Sequence, residues 1–442
     1  MDQPAQPSFQ ARLEQAVDWV RSEQLPAAEA AFAALRAEHP EHPEVLHFLG
    51  ILRHVQGRSD EGVALIRHAV RLRPGQPGML NNLGNLLFET QQLDAAAEVY
   101  EQALAAAGPT QLDCADPLHN LGVIHRRSDR LDQAEQCLRE AIALRPDNGP
   151  SWYNLSEVLI AQGRVREGLL ANSRAIMLLP RESMAREQVV CALVLLGQRE
   201  QAVELYREWL AEEPDNPIVQ HQLAACLGQD APDRASDAYV ASVFDNFASS
   251  FDAKLEKLAY RAPQLVAEAC ATVLGAPGGR FQVADVGCGT GLCGPLLRPW
   301  AAVLVGCDLS VGMLRQARRR NIYDKLHRAE LVYYLDTQPG QFDLIVAADT
   351  LCYFGRLDGA LAASHRALRP RGWLVFTVEA LPADADADHC ILPQGRYAHA
   401  DGYLRRCLAD ACFAEVGLSA ATLRLEAGQP VAGWVVTAQR PG

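Results

Sequence analysis

Prolines at positions 40, 74, 146, 180 and 214 recur every 34 residues, broken once by an interval of 72 that holds two periods and four extra residues. A 34-residue period dictates stacked helix-turn-helix units, because one short helix pair cannot bury its apolar face alone. Registered on the prolines, Leu49, Leu83, Leu121, Leu155 and Val189 share one place, followed by Gly50, Gly84, Gly122 and Ser156. A second column of small residues is Ala28, Gly62, Ala96, Ala134, Gly168 and Ala202, with Phe32, Ile66, Tyr100, Leu138, Asn172 and Tyr206 four residues later in each unit. Small residues let paired helices approach closely and large ones fill the remaining space. Six units run from about residue 9 to 216, the four extra residues near Gln111 to Cys114 lengthen one turn, and Pro217 to Leu227 fits a capping helix.

These columns resemble the tetratricopeptide repeat. The first helix of each unit faces the concave surface, where a protein or peptide partner docks. Asn82, Asn120 and Asn154 occupy one place in three consecutive units, preceded by His47, Asn81, His119, Tyr153 and Glu187 in the adjacent column. An amide both donates and accepts, so an asparagine column can hold a peptide backbone whatever its sequence. The column resembles the asparagine ladder in the repeats of O-GlcNAc transferase. Asparagines that bond neighbouring repeats, or that follow the repeat consensus, explain it equally well.

The second half carries a different signal, VADVGCGTGLCGPLL from Val283 to Leu297. The apolar run Phe281 to Val286 reads as a buried parallel strand, Gly287, Gly289 and Gly291 as a turn, and Leu292 onward as a helix. Glycines there permit close approach of a ligand, and a helix N-terminus offers free N–H groups to an anion. A dinucleotide fingerprint places its third glycine at the sixth position, which counted from Gly287 is Leu292. The observed D-x-G-x-G-x-G, led by Asp285, resembles motif I of the class I S-adenosylmethionine-dependent methyltransferases.

Strand and helix patterns then alternate: strand 281–286, helix 291–299, strand 302–307, helix 311–320, a weak strand 325–329, helix 330–337, strand 342–347, helix 357–369 and strand 372–378. Such alternation implies a Rossmann-like, doubly wound α/β sheet. A helix at 401–413 and strands at 419–425 and 431–438 stand where the resembled family has its reversed C-terminal hairpin. The expected fold class is thus an N-terminal α-helical solenoid over 1–230, a linker over 231–239 that begins within the turn-rich run ending at Ser236, and an α/β methyltransferase domain over 240–442. Over nearly the whole chain the sequence resembles bacterial predicted methyltransferases that carry tetratricopeptide repeats.

The resemblance implies S-adenosylmethionine as cofactor, contacted by Gly287, Cys288, Gly289 and Gly291, with Asp285 orienting either the glycine loop or the methionine end of the cofactor. Asp308, ending the second strand with Leu309 after it, is placed to accept from ribose hydroxyls. Met313 matches the apolar position on adenine, and Glu330 the acidic position near the adenine amino group. Methyltransferases of the ubiquinone-biosynthesis and malonyl-carrier-protein types have a helix similar to FDNFASSFD, covering the cofactor. That implies roles for Phe247 and Phe251 and places Tyr260 and Arg261 at the methionine end, although the stripe Phe244, Phe247, Phe251 reads equally as core packing.

Methyl transfer from a sulfonium is an in-line displacement, so a base is required only where the acceptor must lose a proton. The carboxyl edge of a parallel sheet is where ligands bind, which makes Asp349 and Tyr353 after strand four the leading substrate-side candidates, then Glu379 after strand five and the loop group His389, Arg396, Tyr397 and His399. Asp349-Thr350-Leu351-Cys352 stands where amino-group methyltransferases carry [DN]-P-P-[YF], and no Pro-Cys dipeptide supplies a cytosine nucleophile. Metal-dependent catechol chemistry lacks its acidic cluster, and the twelve cysteines form no C-x-x-C pair or zinc quartet, so no metal is expected. A net charge of −13 argues against a nucleic-acid partner; the run Arg315, Arg318, Arg319, Arg320 reads as a solvated helix face. The N-terminus has no basic and apolar leader, and no stretch of ~18 apolar residues suggests a membrane span, so the expectation is cytoplasmic. Three functions stay open: a methyltransferase with a recruiting array, a small-molecule O- or N-methyltransferase whose repeats serve assembly, and a scaffold with an inactive second domain.

Overall fold

The computed structural model describes residues 8–107, 114–180, 184–228, 231–382 and 385–442. The chain divides into two compact units, 1–192 and 193–442. The extra residues expected near Gln111 to Cys114 lie, up to Asp113, outside the described residues, as do Gln229 and Asp230.

In the first unit helices pair in sequence: α1 (Phe9–Arg21) with α2 (Leu25–Glu38), α3 (Pro43–Val55) with α4 (Ser59–Leu72), α5 (Pro77–Glu89) with α6 (Leu93–Ala106), α7 (Ala115–Arg127) with α8 (Leu131–Leu144), and α9 (Gly149–Ala161) with α10 (Val165–Met177). The boundary falls within α11 (Arg186–Leu195). The glycine column does what its register requires. A Cβ on Gly84 would stand 2.5 Å from Cε1 of Tyr100, and one on Gly122 would stand 2.6 Å from Cγ of Leu138. The large residue of the second helix therefore fills the space the missing side chain leaves, and Phe32, Ile66, Tyr100 and Leu138 are fully buried.

The second unit begins earlier than residue 240. It includes α12 (Arg199–Glu212) and α13 (Pro217–Leu227), which pack together. His221 on α13 donates from Nε2 to the carbonyl of Gly395 at 2.8 Å and stacks on Tyr239. The segment expected as a linker is bonded into this unit: Ala235 N–H donates to the Tyr353 carbonyl, and the Asp233 carbonyl accepts from Gly355 and Arg356. There follow α14 (Asp237–Phe247), α15 (Phe251–Lys257) and α16 (Ala262–Leu274).

The sheet then comprises β1 (Phe281–Val286), β2 (Ala301–Asp308), β3 (Lys325–Arg328), β4 (Phe342–Ala347), β5 (Leu368–Ala380), β6 (His389–Ile391), β7 (Tyr397–His399), β8 (Ala414–Glu426) and β9 (Gln429–Gln439). Strands run in the order β3-β2-β1-β4-β5, all parallel, with β9 antiparallel to β5 and β8 antiparallel to β9. Between the strands lie α17 (Gly294–Leu297), α18 (Val311–Arg319), α19 (Leu331–Asp336), α20 (Asp358–Ala367) and α21 (Asp401–Asp410). Alternate residues of β4 enter opposite cores: Ile345 and Ala347 pack with Leu335, Leu361 and Leu404, while Leu344 and Val346 pack with Val266, Cys270 and Leu297. The order reverses at β1, which opens a crevice at its carboxyl end.

Two expectations are corrected. The helix over 291–299 shrinks to the single turn Gly294–Leu297, because Gly291 is left-handed and Pro295 has no N–H to give. The loop bearing His389 to His399 is a small hairpin. β7 pairs with Glu379 and Ala380, beyond the last β4 partner of β5, and so lies at the carboxyl edge.

Candidate functional site

The apolar strand β1 ends in a turn that needs glycine at three points, each for a different reason. Gly287, Gly289 and Gly291 all have positive φ, at 70°, 54° and 86°. A Cβ on Gly287 would stand 2.3 Å from the Thr350 side chain and one on Gly291 would meet the Tyr323 ring at 2.9 Å, whereas one on Gly289 would meet nothing within 4 Å. The open space beside Gly289 is the cavity. Its walls include Gly287, Cys288, Gly289 and Thr290 from the turn, Asp308 and Leu309 after β2, and Ala329, Glu330 and Leu331 after β3.

Asp308 is held rather than free to swing. Its Oδ2 accepts from Gly289 N at 2.9 Å and its Oδ1 from Ser310 N at 2.8 Å. Burial raises its pKa above the ordinary carboxylate value against those hydrogen bonds. Glu330 caps α19, accepting from Tyr333 N through Oε2, while its Oε1 is buried with no partner among the described residues. A buried acceptor left unpaired is costly, and a donor-bearing ligand at this wall relieves that cost. Purine amino and ribose hydroxyl groups are such donors, so the residues present fit the nucleoside part of the expected cofactor.

Several expected contacts do not reach the cavity. Asp285 is buried beneath the turn, where the Tyr323 hydroxyl donates to it at 2.6 Å, and burial raises its pKa to about 7. It acts on the turn through the Tyr323 ring that packs at Gly291 and does not line the cavity. Gly291 likewise stands outside. Met313 is fully buried in the first turn of α18, its N–H donating to Ser310 Oγ at 3.0 Å, and it does not line the cavity; Leu309 does. Of the aromatic stripe, Phe244 and Phe251 line the cavity, whereas Phe247 is 42% exposed, with the Lys254 ammonium over its ring. Tyr260 lines it and Arg261 does not.

The opposite end is built from charges far apart in sequence. Asp349 follows β4 in a left-handed conformation, φ 53°, its N–H donating to Thr377 Oγ1 at 2.8 Å. Its Oδ2 accepts from Arg424 Nη1 at 2.9 Å, and its Oδ1 is buried with no partner among the described residues. Arg424, on β8 and 3% exposed, also donates to Glu379 and, through Nε at 2.7 Å, to Glu426. Arg396, in the β6–β7 turn, donates to the same Glu379 and Glu426. Asp349, Tyr353, Arg396, Arg424 and Glu426 line the cavity; Glu379 does not. Glu379, expected among the catalytic candidates, stands behind this wall, its Oε1 accepting from both arginines and its Oε2 from Gln394 Nε2 at 3.3 Å. Burial raises the pKa of Asp349, with Arg424 opposing, and raises both Tyr260 and Tyr353.

Of the hairpin group only Arg396 reaches the site. His399 is buried, donating to the Gly355 carbonyl at 3.1 Å, Tyr397 donates to the Pro232 carbonyl, and His389 does not line the cavity. Arg424 and Glu426 went unnoticed in the sequence. Their signal was two charges of opposite sign at i and i+2, one face of a strand, at the end of a mostly uncharged hairpin.

In the first unit the asparagine column is tied sideways. Asn82 Nδ2 donates to His47 Nε2 at 2.9 Å in the preceding repeat, and Asn120 Nδ2 donates to Asn85 Oδ1 and to the Tyr100 hydroxyl, both at 3.0 Å. Asn154 Nδ2 donates to its own helix at the Pro150 carbonyl. Among the described residues no group of three His, Cys, Asp or Glu is placed to hold a metal ion, and no helix is long and apolar enough to cross a membrane.

A family model described as a methyltransferase domain matches residues 284–374, and two described as tetratricopeptide repeats match 76–147, and 13–77 with 119–183. The chain is 33% identical over 137 residues to methyltransferase-like protein 27 of Homo sapiens, covering 30% of this chain and 54% of that protein. It is 32% identical over 146 residues to malonyl-[acyl-carrier protein] O-methyltransferase of Enterobacter lignolyticus, covering 31% and 55%. The matched part is thus little more than half the length of either relative. A solved structure described as a SAM-dependent methyltransferase, possible histamine N-methyltransferase, from Thermotoga maritima aligns with 46% of this chain and 99% of its own, at 16% identity and a TM-score of 0.35.

Proposed function

From a chain that carries N-terminal tetratricopeptide repeats and a C-terminal methyltransferase domain, we propose an S-adenosylmethionine-dependent methyltransferase whose repeats recruit a protein or peptide as partner or substrate. The observation that carries the donor reading is the open space at Gly289 beside Asp308 and the unpartnered Oε1 of Glu330. Gly287, Cys288 and Gly289 would lie along the donor, Asp308 would accept from its ribose, Glu330 from its adenine amino group, and Leu309 and Leu331 would supply apolar contact.

When bound, S-adenosylmethionine supplies a sulfonium methyl whose leaving thioether needs no proton. The protein aligns the acceptor, excludes water and handles the acceptor's proton. Phe244, Phe251, Leu255 and Leu258 form the apolar wall that keeps water out. Asp349 is the base for a hydroxyl or amine acceptor: Arg424 fixes its Oδ2, its Oδ1 is free, and the raised pKa strengthens it as a base. Tyr260 and Tyr353 offer hydroxyls that orient the acceptor.

A second reading, in which the repeats serve assembly and the acceptor is a small molecule, draws support from the sideways bonds of Asn82 and Asn120. Calorimetric titration of the full chain with S-adenosylmethionine tests the donor reading; saturable binding is expected, and none at millimolar cofactor overturns it. Labelled methyl transfer into lysate protein tests recruitment. Replacement of Asn82, Asn120 and Asn154 together by alanine should reduce labelling, and unchanged labelling favours the second reading.

A further inference from the structure

The cavity is covered by α14, α15 and the turn between them, and this cover is held by few apolar contacts. α15 buries no side chain and α14 buries only Tyr239. Besides the stacking of Tyr239 on His221 and the edge contacts of the Phe244 ring with Phe251 and Tyr353, it is held by two aspartates seven residues apart, each following a cavity-lining phenylalanine: Phe244-Asp245 and Phe251-Asp252. Asp245 Oδ1 accepts from Ser310 Oγ at 2.5 Å and from Gly312 N at 2.8 Å, and the Ser310 bond lowers its pKa. Asp252 Oδ1 accepts from Thr290 Oγ1 at 2.5 Å, and its Oδ2 pairs with Arg320, whose Nε donates to the Thr290 carbonyl at 2.7 Å. Arg320, which the sequence placed on a solvated face, is thus part of the tie. The two anchors are the glycine turn and the start of α18, the segments that flank Gly289 and Asp308. The fit is close: a Cβ on Gly312 would stand 2.9 Å from the Ala248 Cβ and 3.1 Å from Asp245 Oδ1.

We propose that Asp245 and Asp252 form a clasp that retains the methyl donor and its product, so that cofactor exchange requires these hydrogen bonds to open. The proposal rests on the donor reading above. Neither aspartate lines the cavity, so both are positioning residues. Both aspartates stand exposed while Ser310 and Thr290 are buried, so each carboxylate can exchange its tie for water when the cover opens.

Dissociation and association rates of S-adenosylmethionine and S-adenosylhomocysteine are to be measured by stopped flow on the full chain. Asp245→Ala and Asp252→Ala together should speed dissociation on the order of tenfold, and association should also quicken, because the open state is more populated. A merely structural role would not raise the association rate. Gly312→Ala is the second variant. It keeps every charge, adds a residue favoured in helices, and presses a methyl against Ala248, so it should speed release in the same direction. Asp388→Asn, which breaks the distant surface pair with Arg406, should leave both rates unchanged. Wild-type binding with both rates within twofold in the double variant and in Gly312→Ala overturns the clasp alone. Absence of wild-type binding overturns the donor reading and the clasp with it.

Discussion

Replacing Arg424 by methionine keeps most of the side-chain volume and removes one charge from a buried network. Glu379 and Glu426 retain Arg396 as a bonded partner, but Asp349 loses its hydrogen bond and keeps only the nearby charge of Arg396, because its Oδ1 is already unpartnered and its Oδ2 bonds to Arg424. Breaking a buried pair by removing one partner costs about 3–5 kcal/mol, since the remaining charge stays desolvated. A loss of about 4 kcal/mol at pH 8 is therefore expected in the second unit. The pH dependence follows from Asp349. Burial already holds its pKa above the unfolded value with Arg424 present, and removing the guanidinium raises it further. A carboxyl raised in the folded state contributes stability below its unfolded pKa and loses it as pH rises through the folded one. The deficit must shrink as pH falls from 8 towards the ordinary carboxyl range of about 4. Hydrogen exchange of β5, β8 and β9 peptides reads this unit separately from the repeats. Adding Asp349→Asn to the variant should restore part of the loss. A deficit below about 1 kcal/mol, or one equal at both pH values, refutes the view that Arg424 compensates buried carboxylates.

The turn glycines should separate into binding and folding. Gly289→Val fills open space and should weaken S-adenosylmethionine binding more than tenfold, at a backbone cost of about 1 kcal/mol for its left-handed φ; unimpaired binding in calorimetry would place the ligand elsewhere. Gly287→Ala collides with Thr350 and should lower the melting temperature even without cofactor. In the repeats, Gly84→Ala drives a methyl into the Tyr100 ring and should destabilise the first unit by about 1–3 kcal/mol, read from hydrogen exchange in α5 and α6. Asp285, with its pKa raised to about 7, favours the folded state below its unfolded value and loses that contribution as pH rises through 7. Protection of β1 amides should therefore fall between pH 5 and 8, and Asp285→Asn should flatten the slope; an unchanged slope assigns the titration to another group.

What was legible in the sequence was legible because it is local. The 34-residue period places Gly84 against Tyr100 within one helix pair, so the fold of each pair is written in some thirty residues. Strands β1, β2 and β4 read correctly because each is a short apolar run buried on both faces. Met313 reads onto the adenine wall because spacing gives a helix face but not what that face meets; in the structure it is buried away from the cavity lining. The stripe Phe244, Phe247, Phe251 is visible too, but which two of its three rings line a cavity depends on how α14 and α15 pack.

By itself the sequence determined the repeating helix pairs, the parallel sheet and the glycine turn, since helix periodicity, strand burial and left-handed φ are set by neighbouring residues. Only the tertiary structure decided that the last two helices of the repeat pattern belong to the second unit, and that Glu379 is locked by Arg396 and Arg424 while Asp349 keeps a free oxygen. Those pairings join residues up to 75 positions apart. Strand order brings them together, and burial in a low-dielectric core makes their charges answer to one another.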